Sequence, residues 1–347
     1  MRIVVDVMGG DHGCGVIIEG VKLALQSNPA ISAICLVGQE AEIQPALRAA
    51  GLNDPRVRVV HASEVLTMED KPVVGLRKKK DCSIARAVEL LKSGEGDALV
   101  SPGNTGGVVS AATLRLRQLP GVDRPGIATV IPAPENEFVL LDAGANVTCR
   151  PVHLAHFAVM GNVYCREILG LPKPRVGILS VGTEDTKGNE LTLEAFRLCK
   201  QLDLNFIGNI EGHDLFANHV DVVVCDGFVG NVVLKTCESL ADAVFTWLRR
   251  ELTQNAVRKA GAWLARGAFR TIKRRLDPDA SGGAPLLGLN GNVMIAHGSA
   301  RERAIMNAIR LCTEAIQNQI NRHITQEIAA ANERLAAAKV NLLEPAA

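Results

Sequence analysis

Residues 2–20 read RIVVDVMGGDHGCGVIIEG, and this stretch contains the pattern that decides the fold. The apolar run at 2–7 predicts a buried strand, the glycines after it predict a tight turn, and residues 15–27 predict a helix. Further runs rich in valine, isoleucine and leucine predict strands at 34–37, 57–60, 97–101, 138–142, 175–181, 205–208, 221–225 and 292–296. Helical patterns lie between them at 83–93, 107–118, 152–169, 190–202 and 230–250. This alternation is typical of an α/β fold with a doubly wound, mostly parallel sheet, and we expect one domain over 1–340.

Composition limits the classes to which the protein can belong. The chain has 347 residues and a formal net charge of +1, so the molecule as a whole is not built to bind polyanions. Aromatic residues make up 3%, which argues against a nucleic-acid partner that would stack on them. The nine cysteines are scattered and are interpreted as reduced core thiols. Because we find no signal peptide and no apolar run of ~20 residues, we predict a cytoplasmic protein whose membrane contact, if any, is peripheral.

Several predicted strands end in turns rich in glycine, asparagine and aspartate. In open parallel sheets, ligands bind at the carboxyl ends of strands, where the next helix presents free N–H groups to an anion. The turns match neither the P-loop nor the dinucleotide Gly-x-Gly-x-x-Gly pattern, which favours an enzyme of simple phosphate. The residues predicted to bind substrate or phosphate are Gly9, Gly10, Asp11, His12, Gly103, Asn104, Thr105, Gly106, Asn146, Asn189, Gly230 and His297.

One further turn contains a lysine. Residues 182–190 read GTEDTKGNE, follow the predicted strand 175–181 and open a helix. Lys187 in this polar turn either holds an anionic ligand or is a solvated surface lysine.

Together these motifs resemble those of the bacterial acyl-ACP:phosphate acyltransferases, the PlsX family. The matching segments follow one another over residues 1–300: DVMGGDH at 6–12, GNTG at 103–106, LDAGAN at 141–146, GTEDTKGNE at 182–190, DGFVGN at 226–231 and AHGS at 296–299. The departures are Pro102 and Gly107, where relatives often have alanine. Each motif alone is common, but their combination is specific.

The resemblance implies a fold like that of phosphate acetyltransferases and isocitrate-dehydrogenase-like enzymes, a homodimer and no cofactor. It implies transfer of a long-chain acyl group from acyl-ACP to inorganic phosphate, which gives acyl-phosphate for phospholipid synthesis. The implied partners are acyl carrier protein, inorganic phosphate and a membrane glycerol-3-phosphate acyltransferase. Lys187 and Asn231 match the active-site pair of the family. We therefore predict that Lys187 holds the charge of phosphate or of the developing oxyanion, and that Asn231 donates to the thioester carbonyl.

Other catalytic groups fit this sequence less well. His12 and His297 lie in glycine-rich turns, where they either bind substrate, donate a proton to the leaving thiol or form hydrogen bonds within the turn. His153 and His156 share a predicted helix face, but we find no further zinc ligands at suitable spacing and predict no metal. A cysteine nucleophile is disfavoured because no cysteine is adjacent in sequence to a plausible base.

The segment 252–276 contains seven basic residues and no acidic residue. We interpret 252–285 as an amphipathic helical insertion, either one helix or, because of Gly261 and Gly267, a helical hairpin; residues 277–283 are predicted to be rich in turns. A basic face opposite an apolar face fits an anionic membrane surface or an acidic carrier protein, and an ordinary surface helix is the alternative. The residues predicted to contact membrane or carrier protein are Trp263, Leu264, Arg266, Arg270, Lys273 and Arg274.

Ser299 is the predicted N-cap of a long final helix with an apolar stripe, which packs on the core or forms a dimer contact. The stripe comprises Ile305, Ile309, Cys312, Ile316, Ile320 and Ile324. Three other functions compete with the acyl-ACP enzyme. They are a phosphate acetyl- or butyryltransferase that uses acyl-CoA, a decarboxylating dehydrogenase of related fold, and a membrane-bound scaffold without catalysis.

Overall fold

The computed structural model describes residues 1–276 and 282–343. The strands are β1 (Arg2–Asp6), β2 (Ala33–Gly38), β3 (Val57–His61), β4 (Ala98–Ser101), β5 (Gly126–Pro132), β6 (Glu137–Leu141), β7 (Arg175–Leu179), β8 (Asn205–Ile210), β9 (Val222–Val224), β10 (Ala284–Leu287) and β11 (Asn292–Ile295). The helices are α1 (Cys14–Ser27), α2 (Glu40–Ala50), α3 (Pro72–Lys78), α4 (Ser83–Lys92), α5 (Thr105–Leu116), α6 (Pro151–Glu167), α7 (Glu190–Cys199), α8 (Gly227–Leu252), α9 (Ala256–Leu264), α10 (Arg266–Arg275), α11 (Glu302–Gln317) and α12 (Ile320–Leu343).

The strands form one sheet in the order β3-β2-β1-β4-β11-β10-β5-β6-β9-β7-β8. The first strand group, β1 to β4 with β11, is parallel, and so is the second strand group, β6 to β9. Between the groups, β10 is antiparallel to β11 and to β5, and β5 is antiparallel to β6. The predicted α/β fold with a mostly parallel sheet is confirmed. The strands of the first group, however, point in the opposite direction to the strands of the second group.

Helices cover both faces of the first strand group. Ile3 and Val5 of β1 pack in one cluster with α1, α2 and α11, whereas Val4 packs in another with α4 and α5. All three side chains are completely buried. Full burial of such a side chain stabilises the fold by ~1.5–3 kcal/mol relative to exposure, which explains why these three consecutive positions of the strand are all apolar.

The second strand group is built in the same way. One face packs against α6, α7 and α12 in a single cluster. Helix α6 is buried from His153 to Cys165, so it lacks the polar face of an ordinary surface helix. Phe138 and Leu140 on the other face belong to the cluster that lies against α4 and α5, whereas β8 at the end of the sheet is only partly buried.

The sequence patterns missed two strands, β5 and β10. β5 lies between Pro125 and Pro132, and β10 has only four residues and contains Pro285. Prolines normally argue against a strand in the middle of a sheet because they cannot donate to the ladder. These two strands form the antiparallel centre, so missing them also hid the reversal of direction.

The final helix differs from the prediction in its start and in its continuity. Arg301 is the N-cap residue, whereas the Ser299 hydroxyl bonds the Nδ1 of His297 at 2.7 Å, so the predicted N-cap is wrong. Gln319, with a φ of 47°, separates α11 from α12. The expected core packing holds for most of the stripe. Its buried members are Ile305, Ile309, Cys312, Ile320 and Ile324.

The end of α8 together with α9 and α10 forms a helical arm, which we define as residues 236–276. Within α8 only Gly227 and Gly230 are buried, and α9 and α10 have no buried residue. One continuous helix or a helical hairpin was predicted for the basic segment, and the structure has two helices separated at Ala265. The predicted insertion 252–285 thus covers the end of α8, both arm helices and the start of β10, and its residues 277–281 lie outside the described part. No helix among the described residues is both long and apolar enough to cross a membrane.

Candidate active site

The first turn group follows β1, β4 and β11 at one edge of the sheet. A Cβ on Gly9 would lie 2.1 Å from the Cα of Gly103, so these two turns can approach this closely only because residue 9 is glycine. The amide of Asp11 donates to the carbonyl of Gly298 at 2.8 Å, which joins the third turn to the first. Three predicted turns are therefore brought together here.

Asn104 caps α5 from within this group. Its Oδ1 accepts from the amide of Gly107 at 2.9 Å, and its Nδ2 donates to the carbonyls of Thr67 at 3.0 Å and Asp70 at 3.3 Å. The side chain is buried, with 7% exposure. All of its polar atoms are thus used to hold the fold. Thr105, the first residue of α5, is exposed at this turn.

A buried carboxyl lies beneath the first turn group. Asp6 Oδ2 accepts from the Ser101 hydroxyl at 2.7 Å, and its Oδ1 accepts from the amide of Met8 at 3.1 Å. Burial raises the pKa of Asp6, although these hydrogen bonds oppose the rise. His12 and His297 are exposed at the same edge. The role of Asp6 in linking the turns after β1 and β4 through hydrogen bonds was not predicted from the sequence.

The second turn group follows β6, β9 and β7, and it is organised by Asp142. Its Oδ1 accepts from the amides of Ile127, Gly144 and Ala145 at 3.0, 3.1 and 2.9 Å. Its Oδ2 accepts from the backbone and side-chain nitrogens of Asn146 at 2.7 and 2.8 Å. One completely buried carboxylate therefore fixes the whole turn after β6. Asp142 lies within the LDAGAN motif, but this role of its carboxylate was not predicted from the sequence.

This turn supports the start of α8, which carries Asn231. The amide of Gly227 donates to the carbonyl of Asn146 at 2.8 Å, and a Cβ on Gly230 would lie 2.0 Å from the carbonyl oxygen of Asp142. Gly230 thus allows the helix to approach the turn, which is a packing role. Asn231 itself is exposed, and its side chain lies beside Gly144.

The lysine loop, residues 182–189, connects β7 to α7. The amide of Lys187 donates to the carbonyl of Glu184 at 2.9 Å, and Gly188 adopts a φ of 126° that other residues rarely adopt. Asn189 caps α7 by accepting from the amide of Thr192 at 2.9 Å. Lys187 is exposed. The loop therefore presents its lysine while its asparagine is used in the helix cap.

Lys187 and Asn231 follow neighbouring strands, because β9 pairs directly with β7. They lie at the same edge of the sheet. Within the described residues, neither side chain makes a hydrogen bond or an ion pair. By contrast, the side chains of Asn104, Asn146 and Asn189 are all engaged. Within the described residues, the two side chains predicted to be catalytic are thus free to meet a ligand.

The two turn groups do not form one cluster of contacts. Ala284 of β10 pairs with Ile295 beside the first group, and Leu287 at its other end pairs with Gly126 near the second. The glycine-rich turns therefore do not all lie at one edge of the sheet. The physical reason is the reversal of direction through β10, β5 and β6.

The second turn group offers hydrogen-bond donors rather than nucleophiles. An ammonium group, a carboxamide and the start of α8 can together hold an oxyanion. Burial raises the pKa of Cys149 to about 12 and that of Cys225 well above its usual value, so neither thiol ionises readily. The described residues contain no group of three or more His, Cys, Asp or Glu side chains able to hold a metal ion. His156 instead bonds Asn332 at 2.9 Å.

Comparison with known proteins assigns the family. Residues 1–323 match the family model described as fatty acid synthesis protein. The chain is 46% identical over 338 residues to a phosphate acyltransferase of Akkermansia muciniphila, covering 95% of this chain and 96% of that one. It is 46% identical over 331 residues to a phosphate acyltransferase of Pelotomaculum thermopropionicum, covering 94% and 95%.

The fold also resembles that of a solved phosphotransacetylase from Streptococcus pyogenes. The TM-score is 0.60 at 19% identity, over 91% of this chain and 94% of that one. This likeness supports the phosphate acetyltransferase-like fold alone. The chain is therefore an acyltransferase and belongs to the phosphate acyltransferase (PlsX) family of fatty acid synthesis proteins.

Proposed function

We propose that this enzyme transfers a long-chain acyl group from acyl-ACP to inorganic phosphate and that the acyl-phosphate product supplies phospholipid synthesis. One observation carries the proposal. Lys187 and Asn231 follow neighbouring strands at one edge of the sheet in a member of the phosphate acyltransferase family. The ammonium group of the lysine and the carboxamide of the asparagine have no hydrogen-bond partner among the described residues.

The reaction requires little acid–base chemistry. A phosphate oxygen attacks the carbonyl carbon of the thioester, a C–O bond forms, and the C–S bond breaks. The thiolate leaves and takes up a proton to become the carrier-protein thiol. Because phosphate is already an anionic nucleophile at neutral pH, the enzyme has to position two reactants and stabilise an oxyanion.

Lys187 and Asn231 are suited to that task. The ammonium group of Lys187 can hold phosphate, and the carboxamide of Asn231 can donate to the carbonyl oxygen as negative charge develops. The N-terminus of α8 adds a favourable dipole for an anion. Asp142 supports them by fixing the turn after β6, and Gly230 by allowing α8 to approach that turn.

The first turn group is proposed as a second anion-binding surface. Gly9, Gly10 and Gly103 bring the backbone close to a ligand, and the backbone at Thr105 and Gly106 begins a helix. His12, Asp11 and His297 flank this surface as exposed polar side chains. Asn104 contributes by capping α5.

The tip of the helical arm is proposed to bind an anionic membrane surface. Trp263 and Leu264 are 61% and 77% exposed, and the Arg266 guanidinium lies 4.7 Å from the centre of the Trp263 ring. Arg270, Lys273 and Arg274 follow on α10. Exposed apolar and basic side chains on two adjoining short helices fit the boundary between headgroups and acyl chains. This placement would deliver acyl-phosphate to a membrane glycerol-3-phosphate acyltransferase.

A second copy of the chain is proposed to cover α8. Leu240, Val244, Trp247 and Leu248 are exposed at helical spacing on one face of the arm. Their exposure is large for apolar side chains in a soluble enzyme, and burying them against a symmetry-related helix would remove it. The molar mass measured by light scattering tests for the homodimer.

The function is tested with the purified enzyme, long-chain acyl-ACP and phosphate. We expect acyl-phosphate and free carrier-protein thiol in equal amounts, and no product without phosphate. Parallel reactions with long-chain acyl-CoA and acetyl-CoA test the competing donor class. Efficient turnover of a CoA ester with none of acyl-ACP would overturn the proposed donor.

A further inference from the structure

The direction of Lys187 is set by the backbone of the lysine loop. Its side chain is exposed and makes no hydrogen bond or ion pair among the described residues; only its first carbons lie against Gly182. The turn from Glu184 to Lys187 closes through one backbone hydrogen bond of 2.9 Å. The hydroxyl of Ser180 also donates to the Lys187 carbonyl at 3.3 Å. Whatever fixes this turn therefore fixes where the ammonium group can reach.

Asn209 of β8 bonds both ends of that turn. Its Nδ2 donates to the carbonyl of Glu184 at 2.9 Å and to the carbonyl of Lys187 at 3.2 Å. β8 is the neighbour of β7, and Asn209 pairs with Ile178 just before the loop begins. One side chain from a rigid strand therefore clamps the two carbonyls that define the turn.

If only the stability of the fold mattered, asparagine would be an unfavourable residue at position 209. It is 5% exposed, and its Oδ1 is buried with no hydrogen-bond partner. A buried acceptor without a partner costs stability, so an apolar side chain at this position would avoid that cost. The two donated hydrogen bonds are the contribution that an apolar residue could not make.

A second link to the loop is weaker. Lys200 on the far side bonds Asp185 at 2.7 Å and lies 4.5 Å from the centre of the Phe196 ring. Both charged side chains are about half exposed or more, so solvent screens the pair. The buried Asn209 side chain therefore restrains the turn more firmly than this exposed pair, and unlike Ser180 it bonds both carbonyls.

We propose that Asn209 is a positioning residue that orients Lys187 by fixing the carbonyls of Glu184 and Lys187. This inference rests on the proposed role of Lys187 in catalysis. Removing the clamp leaves Lys187 present but frees its turn, and a misplacement of about 1 Å is enough to slow an enzyme strongly.

The test is a double-mutant cycle between Asn209→Ala and Lys187→Ala, with kcat, KM for phosphate and the melting temperature measured for each variant. In the otherwise unaltered enzyme we expect Asn209→Ala to lower kcat by about tenfold or more. In the Lys187→Ala background we expect almost no further loss, because the residue that Asn209 orients is gone. A structural role alone would lower kcat by the same factor in both backgrounds.

Asn205→Ala is the matched control. Asn205 lies on the same strand and its Nδ2 donates to the carbonyl of Lys173 at 3.3 Å, at the end away from the loop. It should leave kcat unchanged. Asn209→Thr, whose β-branched side chain suits a strand and cannot bond both carbonyls, serves if the alanine variant does not fold.

Three outcomes would overturn the inference: kcat of the Asn209 variant within about twofold of the unaltered enzyme, equal losses in both backgrounds, or failure of both Asn209 variants to fold. A fourth outcome is that Lys187→Ala keeps full activity while Asn209→Ala loses activity. It would remove Lys187 from the proposed function and, with it, the basis for this role of Asn209.

Discussion

At the scale of single residues, the sequence identified the polar positions of the site but could not distinguish binding from capping. Asn104, Asn189 and Asn231 all lie in glycine-rich turns before or at a helix start. The first two accept hydrogen bonds from their own helices, whereas Asn231 is the fifth residue of α8 and makes no such bond. A shift of a few residues relative to the helix start decides the role, and helix starts are the least certain feature of a sequence pattern.

Lys187→Ala and Asn231→Ala should each reduce turnover of acyl-ACP at least about a hundredfold. Losing one oxyanion donor raises the barrier by ~2.7–4 kcal/mol. The melting temperature should stay nearly constant, since neither side chain has a partner in the described part of the fold. Steady-state kinetics and thermal unfolding measure the two effects.

Lys235→Ala is the control for both substitutions. Lys235 lies one turn after Asn231 on α8 and forms an exposed ion pair with Glu238 at 2.7 Å. Its removal should leave turnover unchanged. Near-normal turnover of the Lys187 and Asn231 variants would exclude this pair from catalysis.

Asp142→Asn should reduce both stability and turnover. The carboxylate accepts from five N–H donors, and an amide in its place would turn an NH2 group toward some of them. We expect a loss of about 2–4 kcal/mol in the free energy of unfolding, because hydrogen bonds to charged groups contribute ~1.5–3 kcal/mol each. Turnover should fall about tenfold, as the turn that supports Asn231 loosens.

Denaturant unfolding and kinetics at a temperature where the variant is fully folded separate the two losses. If the Asp142→Asn protein were as stable as the unaltered one, the carboxylate would not be what holds this turn.

At the scale of secondary structure, the parallel strands and most of the helices that follow them were predictable because each is a continuous apolar or amphipathic run. β5 and β10 were not. Their prolines and short length hide them, and an antiparallel strand at the centre of a parallel sheet has no periodic signature of its own. The separation between α11 and α12 also escaped prediction, since the apolar stripe continues across Gln319.

The starts of β7 and β9 are joined by an ion pair that should make stability depend on pH. Arg175 bonds both carboxylate oxygens of Asp221, at 2.9 and 2.8 Å. Burial alone raises the pKa of Asp221, but the hydrogen bonds from the side chain and backbone of Arg175 outweigh it and lower the pKa. A carboxyl whose pKa is lower in the folded state stabilises the protein above its ordinary pKa of ~3.9 and loses that contribution as pH falls below this value.

We therefore expect the melting temperature of Asp221→Asn to be lower than that of the unaltered protein at pH 6 to 8. The difference should shrink below about pH 4. Its size should correspond to about 1–2 kcal/mol, since the Arg175 side chain is 33% exposed and solvent screens part of the pair. A constant difference from pH 3 to pH 8 would contradict the assignment.

At the scale of the whole molecule, two features could not be read from local patterns. The reversal at β10, β5 and β6 divides the glycine-rich turns into two groups, which only the order of the strands reveals. The helical arm has a basic composition that the sequence did show, but its separation from the core is visible only in the burial of its residues. Both features concern how distant segments are placed, and spacing along the chain does not encode that directly.

The exposed arm leads to a prediction about where the enzyme works. We expect the protein to float with vesicles that contain anionic lipid at low salt, and to remain in solution with neutral vesicles or at high salt. Each basic residue near an anionic surface contributes ~1 kcal/mol, so Arg270→Glu with Arg274→Glu should weaken binding by on the order of a hundredfold or more.

Arg48→Glu with Lys92→Glu, which changes the net charge equally on exposed residues outside the arm, is the matched control and should float as before. Because Arg270 and Arg274 lie on α10, two helices beyond Asn231 in the chain, turnover with soluble acyl-ACP should stay unchanged in both double variants. If the arm variant and the control lost flotation equally, net charge rather than the arm would govern membrane binding.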